Sequence, residues 1–306
     1  MRKQTLFPTP HLVSTMLIAT TFVLTFVPKP VTAQNRDDRA RQHFQGRHPL
    51  PRDPRHVPSK PRPQVTKERF RTIDGSENNA NRAKWGVAGN HLRRIAPPAY
   101  ADGLGDPSGG DRLSPREISN VVLDQTESIL NRRRMSSMVW QWGQFLDHDL
   151  DLTEAAEPLE YLPIPVPKGD IFFDPFGTAT QEIAFFRSEY GITTGVTKPR
   201  QQVNLITAWM DGSNVYGSDD ETADELRTFE SGLLKTSAGE LLPIGEDGFF
   251  MAGDIRANEQ VGLTAMHTLF VREHNRIARR YARLRPDYND EQVYLRARRL
   301  VIAQMQ

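Results

Sequence analysis

Three observations predict a mainly α fold. Apolar residues recur at helical spacing in four segments, which cover about residues 115–122, 132–150 and 263–284 and a last stretch from near Glu291. The connections between these segments are long and rich in Gly, Pro and Asn, as in FRTIDGSENN and PPAYADGLGDPSGG. Alternating runs typical of strands are scarce, and only Gly248-Phe249-Phe250 and Leu233-Leu234 predict small hairpins.

The first helix is predicted from a capping signal. Ser114 is a suitable N-cap, Pro115 suits the first helical position and Glu117 the third. The helix would carry three apolar residues on one face: Ile118, Val121 and Val122.

The second predicted helix ends in the sequence QWGQFLDHDLDLT. Its apolar spacing comes from Met138, Trp142, Phe145 and Leu146. Four polar residues near its end follow the i, i+3, i+4, i+7 pattern and share a face: Gln144, Asp147, His148 and Asp151. Asp149 lies about 100° around the helix from His148, so the two neighbours can serve different functions. Ordinary surface acids at a helix terminus are the alternative, because burying carboxylates costs several kcal/mol unless they are compensated.

A loop with the sequence TAWMDGSNVYGSDD follows at residues 207–220. Alternate positions offer hydroxyl, carbonyl and carboxylate oxygens, from Thr207, Trp209, Asp211 and Ser213. Hard oxygen ligands in this number suit Ca²⁺ better than a transition metal, and Asp149 would add a second carboxylate. The alternative is that DGS forms only a turn.

The third predicted helix follows the sequence AGDIRANEQ. Its apolar stripe consists of Leu263, Met266, Leu269, Phe270 and Ile277. Just before it, Arg256 can stabilise developing negative charge. Glu259, three residues later, is either a salt-bridge partner or a covalent attachment point.

Composition excludes several classes of site. The chain has 306 residues and no cysteine, which excludes disulfides, zinc-thiolate sites, iron–sulfur clusters and thiol catalysis. Its formal net charge of +1 gives no reason to expect nucleic acid as the principal partner.

The N-terminal residues 1–33 are predicted to be a signal peptide. Arg2 and Lys3 precede an apolar run over about residues 16–27, and cleavage is expected after Ala33. A membrane anchor is the alternative, but the run is shorter than the roughly 20 residues that a spanning helix needs. We expect a secreted or periplasmic protein without a stable membrane anchor. The absence of cysteine from an exported chain suggests a bacterial protein.

Residues 34–68 are predicted to be a disordered linker. They are rich in Arg and Pro and nearly empty of large apolar side chains, so they cannot offset their ordering entropy. A polyanion-binding arm is the alternative. Three histidines of this segment are expected to be solvated rather than ligands: His43, His48 and His56.

Together the three motifs resemble the hallmark segments of the animal-type haem peroxidases. FRTIDGSENN, PPAYADG and FFRS are also similar, so the likeness runs from about Phe70 to Gln306. It implies that His148 is the distal histidine, Gln144 its hydrogen-bonding neighbour and Arg256 the distal arginine. Asp147 and Glu259 match carboxylates that can form esters to haem b. Calcium ligands are implied at Asp149, Thr207, Trp209 (through its carbonyl), Asp211 and Ser213.

The resemblance also implies an activity and two limits. The expected enzyme reduces hydrogen peroxide with haem and oxidises a small donor, either a phenol or a halide. Gln260 stands where some members have a methionine linked to haem, so that link is not expected. The family's proximal histidine lies further downstream, so residues 69–306 are expected to be the N-terminal portion of the domain. His267 and His274 are expected to be core or hydrogen-bonded helix histidines.

Two functions of other classes stay open on the sequence. Asp147-His148-Asp149 could belong to a divalent-metal phosphohydrolase, although further histidines at suitable spacing are missing. The tripeptide Lys168-Gly169-Asp170, which in peroxinectin-like relatives is associated with cell adhesion, suggests a noncatalytic binding role.

Overall fold

The computed structural model describes residues 69–306, and these form helices joined by long loops. The helices are α1 (Pro115–Leu123), α2 (Met138–Asp147), α3 (Ser213–Tyr216), α4 (Asp220–Glu225), a 3₁₀ helix (Ile255–Asn258), α5 (Val261–Leu284) and α6 (Asp290–Met305). Two short antiparallel strands, β1 (Ile164–Pro165) and β2 (Glu182–Ile183), form a two-stranded sheet. The predicted mainly α class is confirmed. The predicted signal peptide (residues 1–33) and linker (34–68) lie outside the described residues.

Helix α1 begins where the sequence predicts. The Ser114 side chain accepts a hydrogen bond from the backbone N–H of Arg116, and Pro115 occupies the first position. The apolar residues Ile118, Val121 and Val122 are nevertheless exposed in the described part of the chain. Burial of these apolar side chains against the rest of residues 69–306 therefore does not explain why the helix forms.

Helix α2 is shorter than predicted, because it starts at Met138 instead of residue 132 and ends at Asp147 instead of residue 150. Upstream, the Asn131 side chain closes a loop by bonding both backbone groups of Met135, and Arg134 has a positive φ of 55°. Downstream, Asp149 N–H bonds to Leu146 O, three residues back, which tightens the chain into a turn. The motif sequence DHDLD thus begins on the last residue of α2, and its residues 148–150 lie on a turn.

The core is built around α5, which contacts α2, α3, the 3₁₀ helix and α6. Its predicted stripe is buried at Leu263, Met266, Phe270 and Ile277. Leu269 was wrongly predicted to belong to that stripe, because it is 56% exposed. Phe145 of α2 is fully buried and stacks on Phe270 with ring centroids 5.0 Å apart.

Helix α6 begins at Asp290, one residue before the predicted start. Asn289 and Gln292 form a reciprocal capping box there. Farther along, the buried Arg298 donates to the carbonyls of Arg71 and Thr72 and so fastens the start of the described chain to this helix.

The two predicted hairpins are reduced to isolated bridges. Phe250 pairs with Ile244, and Leu234 with Arg227. Within residues 69–306, no helix has the length and apolar character that crossing a membrane requires.

Candidate functional site

His148 directly follows the last residue of α2 and is 4% exposed. Its backbone N–H still bonds to Gln144 O, so the helix geometry continues far enough to aim the imidazole. Burial lowers the pKa of His148, and the Arg256 guanidinium lowers it further, while Asp254 and Asp147 act in the opposite direction. The imidazole is therefore neutral at physiological pH, as a proton acceptor must be.

The Nδ1 atom of His148 is buried and has no hydrogen-bond partner within residues 69–306. Proton exchange with a substrate must therefore use the other ring nitrogen, Nε2. This leaves one defined atom through which the imidazole can act.

Arg256 lies beside His148 because it is tied to the turn after α2. Its Nη2 donates to Asp151 O at 2.8 Å, and both its Nε and Nη2 donate to the carboxylate of Asp254. The predicted pairing of His148 and Arg256 is thus present in the structure. Asp151 contributes a backbone oxygen here instead of the side chain that its helical spacing suggested.

Gln144 joins α2 to the start of α5. Its Nε2 donates to Glu259 Oε2 at 3.1 Å, while its Oε1 accepts from Gln260 Nε2 at 3.1 Å. Gln260 also donates to Gln141 Oε1 at 2.8 Å and caps α5 by accepting from Gly262 N–H. The Gln144 amide is therefore oriented, with its nitrogen facing the carboxylate.

Asp147 and Glu259 are both exposed at this surface. Partial burial raises the pKa of the Glu259 carboxyl, whereas the Arg256 guanidinium lowers it. Asp254 and Asp147 raise it again. The two carboxylates thus lie on the same side of the site as Arg256 and Gln144.

Asp149 points away from this surface into a second, buried cluster. It accepts hydrogen bonds from Ser213 Oγ at 2.7 Å and from Gly212 N–H at 3.0 Å. Gly212 has a φ of 78°, and a Cβ there would lie 3.0 Å from the Tyr216 ring, so glycine is needed for the turn. The predicted divergence of His148 and Asp149 is present, although a turn and not a helix produces it.

The remaining predicted calcium ligands surround Asp211. Thr207 Oγ1 donates to Asp211 Oδ1 at 2.8 Å, and its distance to Trp209 O is 3.5 Å. The Trp209 indole is directed elsewhere, donating to Trp85 O, so only its carbonyl joins the cluster. All five predicted ligands are therefore brought together.

The charges of this buried cluster are unbalanced. Burial, followed by repulsion from Asp211, raises the pKa of Asp149 to about 7. Burial raises the pKa of Asp211 to about 6 despite Arg298 nearby, and its Oδ2 has no hydrogen-bond partner among the described residues. Two buried carboxylates with an unsatisfied oxygen, surrounded by neutral oxygens, fit a hard divalent cation.

The three motifs lie against one another in the fold because two glycines allow neighbouring segments to approach closely. A Cβ on Gly253 would overlap Ser213 O, and one on Gly262 would overlap Gln141 Oε1. The AGDIR segment is thereby pressed against the 207–220 loop, and the start of α5 against α2.

A family model described as animal haem peroxidase matches residues 70–306. The chain belongs to the animal haem peroxidase family. Peroxidasin of Drosophila melanogaster is 35% identical over 78% of this chain and 19% of its own length. Peroxinectin A of Dictyostelium discoideum is 33% identical over 78% of this chain and 49% of its own.

The fold also resembles that of a solved peroxidase. Peroxidase A from Dictyostelium discoideum matches with a TM-score of 0.66 and 29% identity, covering 78% of this chain and 51% of that one. The chain thus spans about half or less of the length of these three relatives.

The two histidines of α5 have different surroundings in this haem peroxidase chain. His274 donates and accepts between Tyr216 OH (2.9 Å) and Gly232 O (2.8 Å), as expected for a hydrogen-bonded helix histidine. His267 is fully buried edge-on to Phe145, with no hydrogen-bond partner for either ring nitrogen among residues 69–306. Burial lowers both pKa values to about 4. Both are core histidines, as predicted.

The alternatives from the sequence have little support in the described residues. Asp170 of the KGD tripeptide is 6% exposed and accepts from Arg116, Asn120 and two backbone N–H groups, so its carboxylate is not available to a partner. Within residues 69–306, no group of three or more His, Cys, Asp and Glu side chains is placed to hold a metal ion, as a phosphohydrolase site would require. The calcium hypothesis needs only two carboxylates and depends on neutral oxygens for the rest.

Sequence reasoning missed Asp254 and the bridging role of Gln260. Asp254 is 3% exposed and pairs with Arg256 only two residues away, at the N-cap of the 3₁₀ helix. The spacing Asp-x-Arg before a predicted helix was the available signal, since an Asp at an N-cap can also reach the side chain that follows.

Proposed function

We propose that the protein is a haem peroxidase that reduces hydrogen peroxide and oxidises a small donor, either a phenol or a halide. One observation carries the proposal. A buried, neutral imidazole and a fixed guanidinium, from segments more than one hundred residues apart, adjoin each other at an open surface edged by two carboxylates. Membership of the animal haem peroxidase family supports it.

The donor set on this surface fits the distal side of a haem. When bound, haem supplies the iron at which the peroxide O–O bond is broken and the oxidising power that the donor then consumes. Asp147 and Glu259 would hold it, through ester bonds to its methyl groups. Proximal ligation is assigned to neither His267 nor His274, because both rings are buried in the core.

His148 acts as the proton carrier in the proposed reaction. Its Nε2 accepts the proton of hydrogen peroxide and returns it to the departing oxygen, because the lowered pKa keeps the ring neutral beforehand. Arg256 stabilises the negative charge that develops on that oxygen. Gln144, with its amide oriented by Gln260, adds a hydrogen-bond donor at the same surface.

A calcium ion is proposed between Asp149, Thr207, Trp209 O, Asp211 and Ser213. It would neutralise two buried carboxylates that otherwise repel each other. Because Asp149 is covalently next to His148, this ion would also hold the orientation of the imidazole. We further propose that the protein is secreted or periplasmic, with residues 1–33 as its signal peptide and 34–68 as a linker.

Expression of the polypeptide extended through the downstream segment in which the family's proximal histidine is expected, with a haem supply, tests the proposed activity. We expect Soret absorption and peroxide-dependent oxidation of a phenol. His148→Gln should keep the Soret band and lose about 10²- to 10⁴-fold in turnover. His91→Gln, at an exposed histidine, is the matched control and should turn over like the parent. A colourless parent protein, or a His148→Gln variant as fast as the control, would contradict the proposal.

A further inference from the structure

Asp254 is a buried carboxylate to which none of the three motifs assigns a role. Its side chain is 1% exposed, and that of Arg256 is 12% exposed. Asp254 Oδ1 accepts from Arg256 Nε at 2.9 Å and Oδ2 from Arg256 Nη2 at 2.8 Å. This is a two-bond contact between planar groups, which fixes direction as well as distance.

A third bond from the same carboxylate fixes the backbone. Oδ1 also accepts from the Arg256 backbone N–H at 2.8 Å, as the N-cap of the 3₁₀ helix. The residue that orients the guanidinium therefore also sets the position of its Cα. Side chain and main chain of Arg256 are located by one group.

The other contacts of Arg256 leave a single direction open. Nη2 additionally donates to Asp151 O at 2.8 Å. The hydrogen bonds of Arg256 to residues 69–306 use its backbone N–H, Nε and Nη2, which leaves Nη1 as the guanidinium nitrogen for a ligand. Asp254 and Asp151 O hold the opposite edge.

We propose that Asp254 is a positioning residue that aims Arg256 Nη1 into the distal site. The inference rests on the proposed peroxidase function. Asp254 itself touches no reacting atom in this scheme; it acts through Arg256. Without it, only the bond from Nη2 to Asp151 O would hold the guanidinium, which could then rotate about that contact.

Asp254→Asn separates charge from capping, since an asparagine oxygen can still accept from the Arg256 backbone N–H. Asp219→Asn is the matched control, because Asp219 is an exposed N-cap carboxylate of α4. The haem-free chain is examined first, by NMR of the arginine Nε–H groups, with Arg256→Lys identifying the Arg256 signal. We expect a faster-exchanging Arg256 Nε–H in Asp254→Asn and not in Asp219→Asn.

The haem-loaded protein gives the second measurement. Asp254→Asn should lower kcat/KM for peroxide by about 10-fold or more. Asp254→Glu keeps the charge but displaces the guanidinium, so it should also lower kcat/KM; it carries the test if Asp254→Asn does not fold.

The outcomes separate the inference from the proposed function. Loss of Soret absorption or of turnover in the parent protein would overturn the peroxidase proposal, while the NMR arm still tests the contact between Asp254 and Arg256. Parent activity with Asp254→Asn and Asp254→Glu matching Asp219→Asn in kcat/KM and in Arg256 Nε–H exchange would overturn the inference alone.

Discussion

The buried His274 makes a quantitative prediction about the pH dependence of folding. It lies fully buried in α5 between Tyr216 OH and Gly232 O, and burial lowers its pKa to about 4. Arg227 and Arg298 nearby act in the same direction as burial, and Asp290 opposes it. The folded protein therefore prefers the neutral ring.

The sign follows from comparing the two states. An unfolded histidine has a pKa of about 6.5, so the unfolded chain binds the proton more readily as the pH falls. The contribution of the buried, neutral His274 to stability is complete above pH 6.5 and is lost as the pH falls from about 6.5 towards 4. At pH 4.5 the loss amounts to about 2.5 kcal/mol relative to pH 8.

Replacing His274 by Gln isolates this contribution from those of other titrating groups, which both proteins share. The free energies of unfolding of parent and variant are measured by urea denaturation at pH 8 and at pH 4.5. We expect the difference in free energy of unfolding between parent and variant to be about 2.5 kcal/mol smaller at pH 4.5 than at pH 8. His91→Gln, at an exposed position, is the control. If this difference in free energy of unfolding stays constant within about 0.5 kcal/mol between the two pH values, the reasoning is refuted.

Three further predictions follow from packing, capping and the calcium cluster. Phe145→Ala should lower the free energy of unfolding by about 3–5 kcal/mol in urea titrations, because this side chain is fully buried, whereas Trp140→Ala at 63% exposure should change it little. Asn289→Ala should cost about 1 kcal/mol by the same measurement, through loss of the capping box of α6. Calcium should raise the melting temperature of the chelator-treated parent protein but not that of Asp211→Ala, and an equal rise in both would contradict the assigned ligands.

Local signals in the sequence predicted several helix features well. The start of α1 depends on residues within four positions of each other, so Ser114 with Pro115 identifies it without long-range information. The start of α6 was predicted within one residue, and the capping box of Asn289 and Gln292 found there is a local signal of the same kind. Four of the five residues in the α5 stripe are buried for a similar reason, since helical periodicity decides which residues share a face. The prediction for Leu269 was wrong because no described residue covers its side of α5.

The boundaries of α2 were less predictable. The apolar spacing of residues 132–150 suits a helix, yet a loop closed by the Asn131 side chain displaces its start. Its end depends on Asp149, whose carboxylate bonds to Ser213 Oγ in a segment more than sixty residues away. A contact at that distance in sequence outweighs local propensity, which contributes less than about 1 kcal/mol per residue.

The sequence by itself determined the helical class and the chemistry available: one imidazole, one guanidinium and a set of oxygen ligands in three motifs. Only the tertiary structure decided how these groups are charged and aimed. Burial lowers the pKa of His148, and the bond from Arg256 to Asp151 O brings the guanidinium to the turn after α2. Both effects arise from packing between distant segments, where removal of water changes the free energy of a charge far more than any neighbour in sequence does.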